Sequence, residues 1–180
     1  MQVLSTPGFA DYELLDSGDG RKLERYGAVA VDRPEPQAMW RPRKGADVWQ
    51  KAHARFVGQD EDAGAWTIAP SCPKEWNLRV SEATIECRLT SFRHLGIFPE
   101  QRRCRRHAAV HFDASKTAVA WARHNQALSN LADRPIRWIV EDARKFVQRE
   151  QRRGNVYNGI LVDPPKFGRG PNGETWELFE

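Results

Sequence analysis

The chain has 180 residues, of which 40% are apolar and 29% charged, and its formal net charge is +4. This length allows one domain or two small ones with a real hydrophobic core, and the composition excludes a disordered or collagen-like chain. No segment approaches the roughly 18 consecutive apolar residues of a membrane-spanning helix, and the first residues lack a signal-peptide core. These features predict a folded, cytoplasmic protein.

The three cysteines are widely spaced at Cys72, Cys87 and Cys104. An odd, scattered set argues against a disulfide framework and is typical of a reducing compartment. Cys104, His107 and His111 have a spacing found in metal sites, but no fourth ligand lies in a partner motif. We therefore predict no metal.

Residues 1–90 are predicted to form a β-rich domain. Short alternating apolar segments, turn residues and prolines favour strands over long helices. The predicted strands cover 12–15, 22–26, 28–31, 66–69, 76–80 and 84–89. A brief helix is predicted over 47–56, where Val48, Ala52 and Phe56 follow one another at helical spacing.

Residues 91–180 show strands that alternate with helices. The predicted strands cover 108–112, 136–140 and 157–162, and a helix follows each of the first two. Ser115 is placed to cap the first helix, and Gly154 lies where the second helix ends. This alternation indicates βαβ units, a parallel sheet and an α/β fold.

A carboxylate follows each of these strands, at Asp113, Asp142 and Asp163. In open α/β sheets ligands bind at the carboxyl ends of the strands. Asp113 can accept hydrogen bonds from both hydroxyls of a ribose, and Asp142 from an exocyclic adenine amine. The alternative is that both only cap helices. The ordered series, which ends at Asp163 followed by Pro164 and Pro165, favours a nucleoside site.

Three segments, 111–116, 139–143 and 161–171, together resemble a known family. The last of them reads Leu-Val-Asp-Pro-Pro-Lys-Phe-Gly-Arg-Gly-Pro, which is far more specific than an isolated Asp-Pro-Pro. Together with 12–20 and 98–101, these segments are similar to class I S-adenosylmethionine-dependent methyltransferases. Within that family they resemble the branch related to 23S ribosomal RNA cytosine-C5 methyltransferases.

The resemblance implies a partial Rossmann-like parallel sheet, S-adenosyl-L-methionine as the cofactor and ribosomal RNA as the substrate. The implied site residues are Asp113, Ser115, Asp142 and Ala143 for the cofactor and Asp163, Pro164 and Pro165 for the reacting methyl group. Methyl transfer from a sulfonium is an in-line displacement that depends on near-attack geometry, and a rigid Pro-Pro wall suits it.

The same resemblance predicts an incomplete site. Family members carry a strand, a Gly-rich turn and a helix ahead of the strand at 108–112, but here only 102–107 stands there, with no glycine between Gly96 and Gly154. The chain ends soon after Asp163, and no cysteine nucleophile follows that residue. These features predict an internally deleted, truncated relative and leave open a non-catalytic RNA-binding protein or an inactive remnant.

The positive charge is concentrated in residues 91–154, which hold 14 Lys and Arg against 6 Asp and Glu, a local charge of +8. Such a region suits a polyanion such as RNA, and a solvated helical surface is an equal alternative. The predicted phosphate contacts are Arg102, Arg103, Arg105, Arg106 and Lys166. The alternative for the arginine cluster is a solvated connector.

Overall fold

A computed structural model describes residues 8–60, 63–99, 110–162, 167–169 and 175–177. The chain divides into two compact units, unit 1 (Met1–Arg105) and unit 2 (Arg106–Glu180). The α/β fold class is confirmed, because unit 1 is β-rich and unit 2 contains a parallel strand pair with a helix after each strand. Within the described ranges, no helix is long and apolar enough to cross a membrane.

Unit 1 contains a five-stranded sheet and a separate hairpin. The sheet strands are β1 (Tyr12–Gly18), β2 (Arg21–Tyr26), β3 (Val29–Pro34), β4 (Ala54–Asp60) and β5 (Ala63–Ile68), in that spatial order. Neighbouring strands are antiparallel except β3 and β4, which are parallel. The short helix α1 (Ala46–Trp49) precedes β4, and β6 (Glu75–Val80) pairs with β7 (Ala83–Arg88).

The core of unit 1 lies between the sheet and the hairpin. Its buried members are Tyr26, Val29, Val31, Ala54, Cys72, Leu78, Cys87, Leu95 and Ile97. Val29 and Val31 are two residues apart on β3 and therefore share one face of the sheet. Burial raises the pKa of the Cys87 thiol to about 12, so this cysteine stays neutral and acts as a small apolar side chain.

The helix predicted over 47–56 is wrong beyond Trp49. Residues 54 and 56 belong to β4, where Ala54 is 1% and Phe56 0% exposed. The chain joins the sheet at His53, whose backbone N–H donates to Ala30 (2.8 Å) and whose Nδ1 accepts from the Ala30 N–H (2.9 Å). Pairing with β3 makes this segment a strand, in which alternate side chains share one face of the sheet. This pairing outweighs the helical spacing of the apolar residues in the sequence.

Unit 2 begins with the predicted strand–helix repeat. Its described elements are β8 (Val110–Asp113), α2 (Lys116–Leu128), β9 (Arg137–Val140), α3 (Ala143–Arg152) and the antiparallel pair β10 (Phe167–Arg169) and β11 (Thr175–Glu177). β8 and β9 form a two-stranded parallel sheet. Gly154 has a φ of 67° just after α3, the left-handed conformation that commonly ends a helix.

The strand predicted over 157–162 is also wrong. This segment is irregular, and Ile160, Leu161 and Val162 are 77%, 71% and 67% exposed. The apolar pattern is that of a strand, but a strand forms only when its backbone N–H and C=O groups find a partner. In the described part of the chain, β8 and β9 pair with each other and not with this segment.

Gly18 packs directly against the backbone of a neighbouring segment. A Cβ atom added there would lie 2.4 Å from the Pro42 nitrogen and 2.7 Å from the Arg41 carbonyl carbon, and the φ of Gly18 is 153°. We expect Gly18→Ala to lower the free energy of unfolding by about 2 kcal/mol, measured by urea denaturation. Gly20→Ala is the control, because its φ is 72° but nothing lies within 4 Å of the added Cβ. Equal losses in the two variants would contradict this explanation.

Candidate functional site

The parallel pairing of β8 and β9 brings two of the predicted acids to one edge of the sheet. Asp113, the last residue of β8, is in register with Val140, the last residue of β9. The Glu141 N–H donates to the Asp113 carbonyl at 3.0 Å, which extends the ladder past the strand ends. Asp142 follows directly, so both acids lie where α2 and α3 begin.

Asp113 is held by a local hydrogen bond. Its Oδ1 accepts from the Ser115 N–H at 2.6 Å, and the residue is half-buried. Among the described residues, none forms a hydrogen bond to the second carboxylate oxygen of Asp113. The hydrogen bond from the Ser115 N–H to Oδ1 orients the carboxylate, so that the second oxygen is available to accept from a ligand.

Ser115 caps α2. Its hydroxyl oxygen accepts from the Ala118 N–H at 3.1 Å, and the side chain is exposed. Since this bond satisfies one of the unpaired donors of the first helical turn, the hydroxyl has a structural task. It also positions the Ser115 backbone N–H that holds Asp113.

Asp142 caps α3 in the same way. Its Oδ1 accepts from the Lys145 N–H at 3.1 Å. Ala143, the first residue of α3, is exposed, and its N–H stands in the first turn, where the helix itself supplies no acceptor. This edge therefore presents a carboxylate and a backbone donor of the first helical turn side by side, a pair that matches the amine and ring nitrogen of adenine.

Aromatic contacts fix the helices against the strands. Phe112 of β8 stacks on Phe146 of α3, with ring centroids 4.3 Å apart and an interplanar angle of 20°. Trp138 of β9 lies 5.0 Å from the His111 ring and donates from Nε1 to Gln126 of α2 at 2.7 Å. These packed side chains hold the two capped helix ends at the same sheet edge.

The chain is similar to known methyltransferases. It matches the SAM-dependent methyltransferase from Agrobacterium tumefaciens with a TM-score of 0.89 and 42% identity, over 98% of this chain and 67% of that one. SMU.776, assigned as a methyltransferase and solved with SAH, shares the fold at a TM-score of 0.68 and 15% identity, over 93% of this chain and 54% of that one.

A curated relative matches a shorter part of the sequence. The large-subunit ribosomal RNA methyltransferase I of Tolumonas auensis is 33% identical over 58 residues, which is 32% of this chain and 15% of the relative. No protein-family model matches. The match to the Agrobacterium protein establishes the family, because it is 42% identical and covers 98% of this chain and 67% of that one. The chain belongs to the SAM-dependent methyltransferases.

The structure describes only part of the site that the methyltransferase resemblance implies. It brings together Asp113, Ser115, Asp142 and Ala143 at the joined ends of β8 and β9. The predicted catalytic residues Asp163, Pro164 and Pro165, and the predicted RNA contacts Arg102, Arg103, Arg105, Arg106 and Lys166, lie outside the described residues. Residues 157–162, which lead to Asp163, are described and do not join the sheet.

The sequence interpretation missed a small cavity in unit 1 that is lined largely by charged side chains. Its volume is about 150 Å³, and its lining includes Lys22, Arg33, Glu35, Arg93, His94 and Phe98. The only signal in the sequence is the close spacing of aromatic and basic residues over 92–98. That signal is weak, because Lys22 and Arg33 come from a distant hairpin.

Proposed function

We propose that the chain is an S-adenosylmethionine-dependent methyltransferase of RNA and that Asp113 and Asp142 hold the nucleoside part of the methyl donor. The observation that carries this proposal is the juxtaposition of these two acids at adjacent carboxyl ends of a parallel strand pair. It occurs in a chain that is 42% identical to a SAM-dependent methyltransferase over nearly its whole length.

The described residues fit an adenosine. The second oxygen of Asp113, which has no partner among the described residues, is placed to accept from ribose hydroxyls, while Ser115 fixes the orientation of the carboxylate. Asp142 keeps one oxygen on the Lys145 N–H and has a second for an exocyclic amine. The Ala143 N–H can donate to a ring nitrogen. When bound, S-adenosylmethionine supplies an electrophilic methyl group on its sulfonium.

Asp163, Pro164 and Pro165 are proposed to face the reacting methyl group. This role is supported by the resemblance of the 161–171 segment to the family, where the same run follows a strand. A carboxylate beside two residues of restricted φ can hold a nucleophile in line with a methyl carbon.

Ribosomal RNA is the proposed substrate. The support is the match to a large-subunit ribosomal RNA methyltransferase, of which this chain spans 15% of the length, and the charge of +8 within residues 91–154. Arg102, Arg103, Arg105, Arg106 and Lys166 are the proposed phosphate contacts. A ribosomal substrate would place the protein in the cytoplasm.

A second candidate function is RNA binding without methyl transfer. It is supported by the exposed apolar segment 157–162, which stands outside the parallel pair, and by the absence of glycine between Gly96 and Gly154. A chain of this kind would keep its basic surface and lose tight binding of the donor.

Calorimetric titration of the full chain with S-adenosylmethionine separates the two candidates. A methyltransferase is expected to bind one equivalent with a dissociation constant between about 1 μM and 1 mM, the usual range for enzyme substrates. Transfer of labelled methyl groups to large-subunit ribosomal RNA is the second readout. RNA binding without any heat from the methyl donor would reject methyl transfer and favour the second candidate. Methionine alone is the control ligand, because it lacks the adenosine that Asp113 and Asp142 are proposed to hold.

A further inference from the structure

The loop that joins β3 to α1, residues 35–45, is tied to the turn of the β1–β2 hairpin in unit 1. The Gly20 N–H donates to the Ala38 carbonyl at 2.9 Å, and the Asp19 N–H donates to the Trp40 carbonyl at 2.7 Å. These two backbone hydrogen bonds fix the middle of the β3–α1 loop against an element that is distant from it in the sequence.

A buried carboxylate fixes the end of the same loop. Asp16 of β1 accepts from the Arg43 N–H at 3.2 Å and from the Lys44 N–H at 2.8 Å. It also accepts from Trp49 Nε1 at 3.0 Å. Because these three N–H groups satisfy Asp16, the acid holds the backbone of the loop and does not form an ion pair with a side chain of the loop.

The β3–α1 loop exposes three cations without ion-pair partners. They are Arg41, Arg43 and Lys44. Among the residues that the structure describes, none forms an ion pair with any of the three. Glu35, the acid of the loop, pairs with Lys22 at 2.9 Å, and Asp47 of α1 is exposed and unpaired with the loop cations. The three positive charges are therefore available to a polyanion.

An exposed tryptophan stands next to these cations. Trp40 is 56% exposed, although its Nε1 donates to the Ser17 carbonyl at 2.9 Å and to the Ser17 hydroxyl at 3.2 Å. These bonds hold one edge of the indole and leave more than half of the side chain open to solvent. A ring that is already held in place loses little conformational entropy on binding and offers a surface on which a base can stack.

We propose that the β3–α1 loop binds a segment of single-stranded RNA, with one base stacked on Trp40 and phosphates beside Arg41, Arg43 and Lys44. Cations beside an exposed aromatic ring are typical of sites for single-stranded nucleic acid. The choice of RNA rests on the proposed function, whereas the site itself belongs to unit 1 and uses none of the residues named there.

The composition of the loop favours RNA over a membrane surface. Its exposed large apolar side chains are Met39 and Trp40, two neighbours in the sequence. Proteins that lie on membranes usually bury a wide apolar face, such as one side of an amphipathic helix. Two apolar side chains beside three cations give a stacking surface and phosphate contacts, but no such face.

Fluorescence anisotropy with a labelled single-stranded RNA of roughly 12 nucleotides tests the site on the full chain. Trp40→Ala is expected to weaken binding by about 5- to 150-fold, the usual effect of losing one stacked base. Trp40→Phe keeps an aromatic ring and is expected to bind more tightly than Trp40→Ala. Phe92→Ala is the control, because Phe92 is a 49% exposed aromatic residue of unit 1 outside the loop, and its affinity should equal that of the wild type.

The dependence of affinity on salt tests the phosphate contacts. Lys44→Gln is expected to reduce the slope of log affinity against log salt by about 0.7, the loss of one phosphate contact on a single strand. The triple variant Arg41→Gln/Arg43→Gln/Lys44→Gln should reduce it by about 2. Lys74→Gln is the control, since Lys74 is exposed just before β6 and outside the loop. Urea midpoints equal to that of the wild type would show that each variant is folded.

Unchanged RNA affinity in Trp40→Ala together with an unchanged salt slope in the triple variant would overturn the loop site alone and leave the proposed function standing. Equal affinity for a duplex of the same sequence would overturn it as well. Sedimentation with anionic lipid vesicles that needs the three cations, without any effect of the triple variant on RNA binding, would assign the loop to a membrane and overturn the proposal.

Failure of the proposed function gives different results. If the wild type binds RNA through the loop but gives no heat with S-adenosylmethionine, methyl transfer is rejected and the loop site is retained. If the wild type binds the methyl donor but no RNA, the RNA substrate and the loop site are both rejected, and the donor site of unit 2 is retained.

Discussion

Arg33→Met is expected to lower the free energy of unfolding of unit 1 by about 3–5 kcal/mol, the usual cost of removing one partner of a buried ion pair. Arg33 makes two hydrogen bonds to the Glu24 carboxylate, from Nε at 2.5 Å and from Nη2 at 3.1 Å. The side chain of Glu24 is only 1% exposed, so methionine would leave its charge without water and without a hydrogen-bonded cation.

Two tyrosines complete this buried network. Tyr12 and Tyr26 donate their hydroxyls to Glu24 Oε1 at 3.0 and 3.1 Å, and Arg33 Nη2 donates to the Tyr26 oxygen at 2.6 Å. Burial raises the pKa of Tyr26 well above its ordinary value, which keeps this donor protonated. In Arg33→Met these hydroxyls remain, but they carry no charge to offset that of Glu24.

Amide hydrogen exchange in β2 and β3 measures the stability of unit 1 separately from that of unit 2. Arg25→Met is the control on the neighbouring strand β2, because Arg25 pairs with Glu13 in a partly exposed contact, and its expected cost is about 1 kcal/mol or less. The double variant Glu24→Leu/Arg33→Met should recover much of the loss, since no buried charge remains. Similar losses in Arg25→Met and Arg33→Met would contradict a special role for the buried pair.

The stability difference between the wild type and Arg33→Met should depend on pH. Burial by itself raises the pKa of Glu24, but the charge and hydrogen bonds of Arg33 outweigh it and lower this pKa in the folded protein. A lowered pKa stabilises the fold above the unfolded-state value of about 4.3, and this contribution is lost as the pH falls through the folded-state value. The difference should therefore be full at neutral pH and shrink in acid, where Glu24 becomes neutral in the variant as well.

Asp113→Ala is expected to weaken S-adenosylmethionine binding by about 10- to 150-fold. The proposed ribose contacts end on a carboxylate, and one hydrogen bond to a charged group is worth about 1.5–3 kcal/mol. Asp113→Asn is the more informative substitution. Because the Ser115 N–H holds one oxygen, the asparagine amide would present its NH₂ to the ribose, a donor where an acceptor is needed.

Titration calorimetry of Asp113→Asn against Asp133→Asn checks this effect. Asp133 is exposed in the turn between α2 and β9 and loses the same charge from the same unit. The control should bind the methyl donor within about twofold of the wild type, because a distant exposed charge is screened by salt. Equal weakening in the two variants would point to a general charge effect and not to a contact with the ribose.

The local parts of the candidate site could be predicted from the sequence. Ser115 bonds to a residue three positions away, and so does Asp142, and the strand–acid–helix order is visible in the spacing of apolar residues. Such patterns involve neighbours within one helical turn, which sequence periodicity reports directly. The fold class and the two helix caps, Ser115 and Asp142, follow from them.

Longer-range features needed the folded chain. Glu24 and Arg33 meet across the β2–β3 hairpin, the cavity combines that hairpin with residues 93–99, and β3 captures residues 54–60 as a strand. The apolar residues 157–162 look like a strand, yet they remain irregular and exposed. The spacing of apolar residues along a chain indicates which face of a helix or strand each side chain occupies. Whether a strand forms, and which charges meet, depends on partners whose positions are set by strand pairing between distant segments.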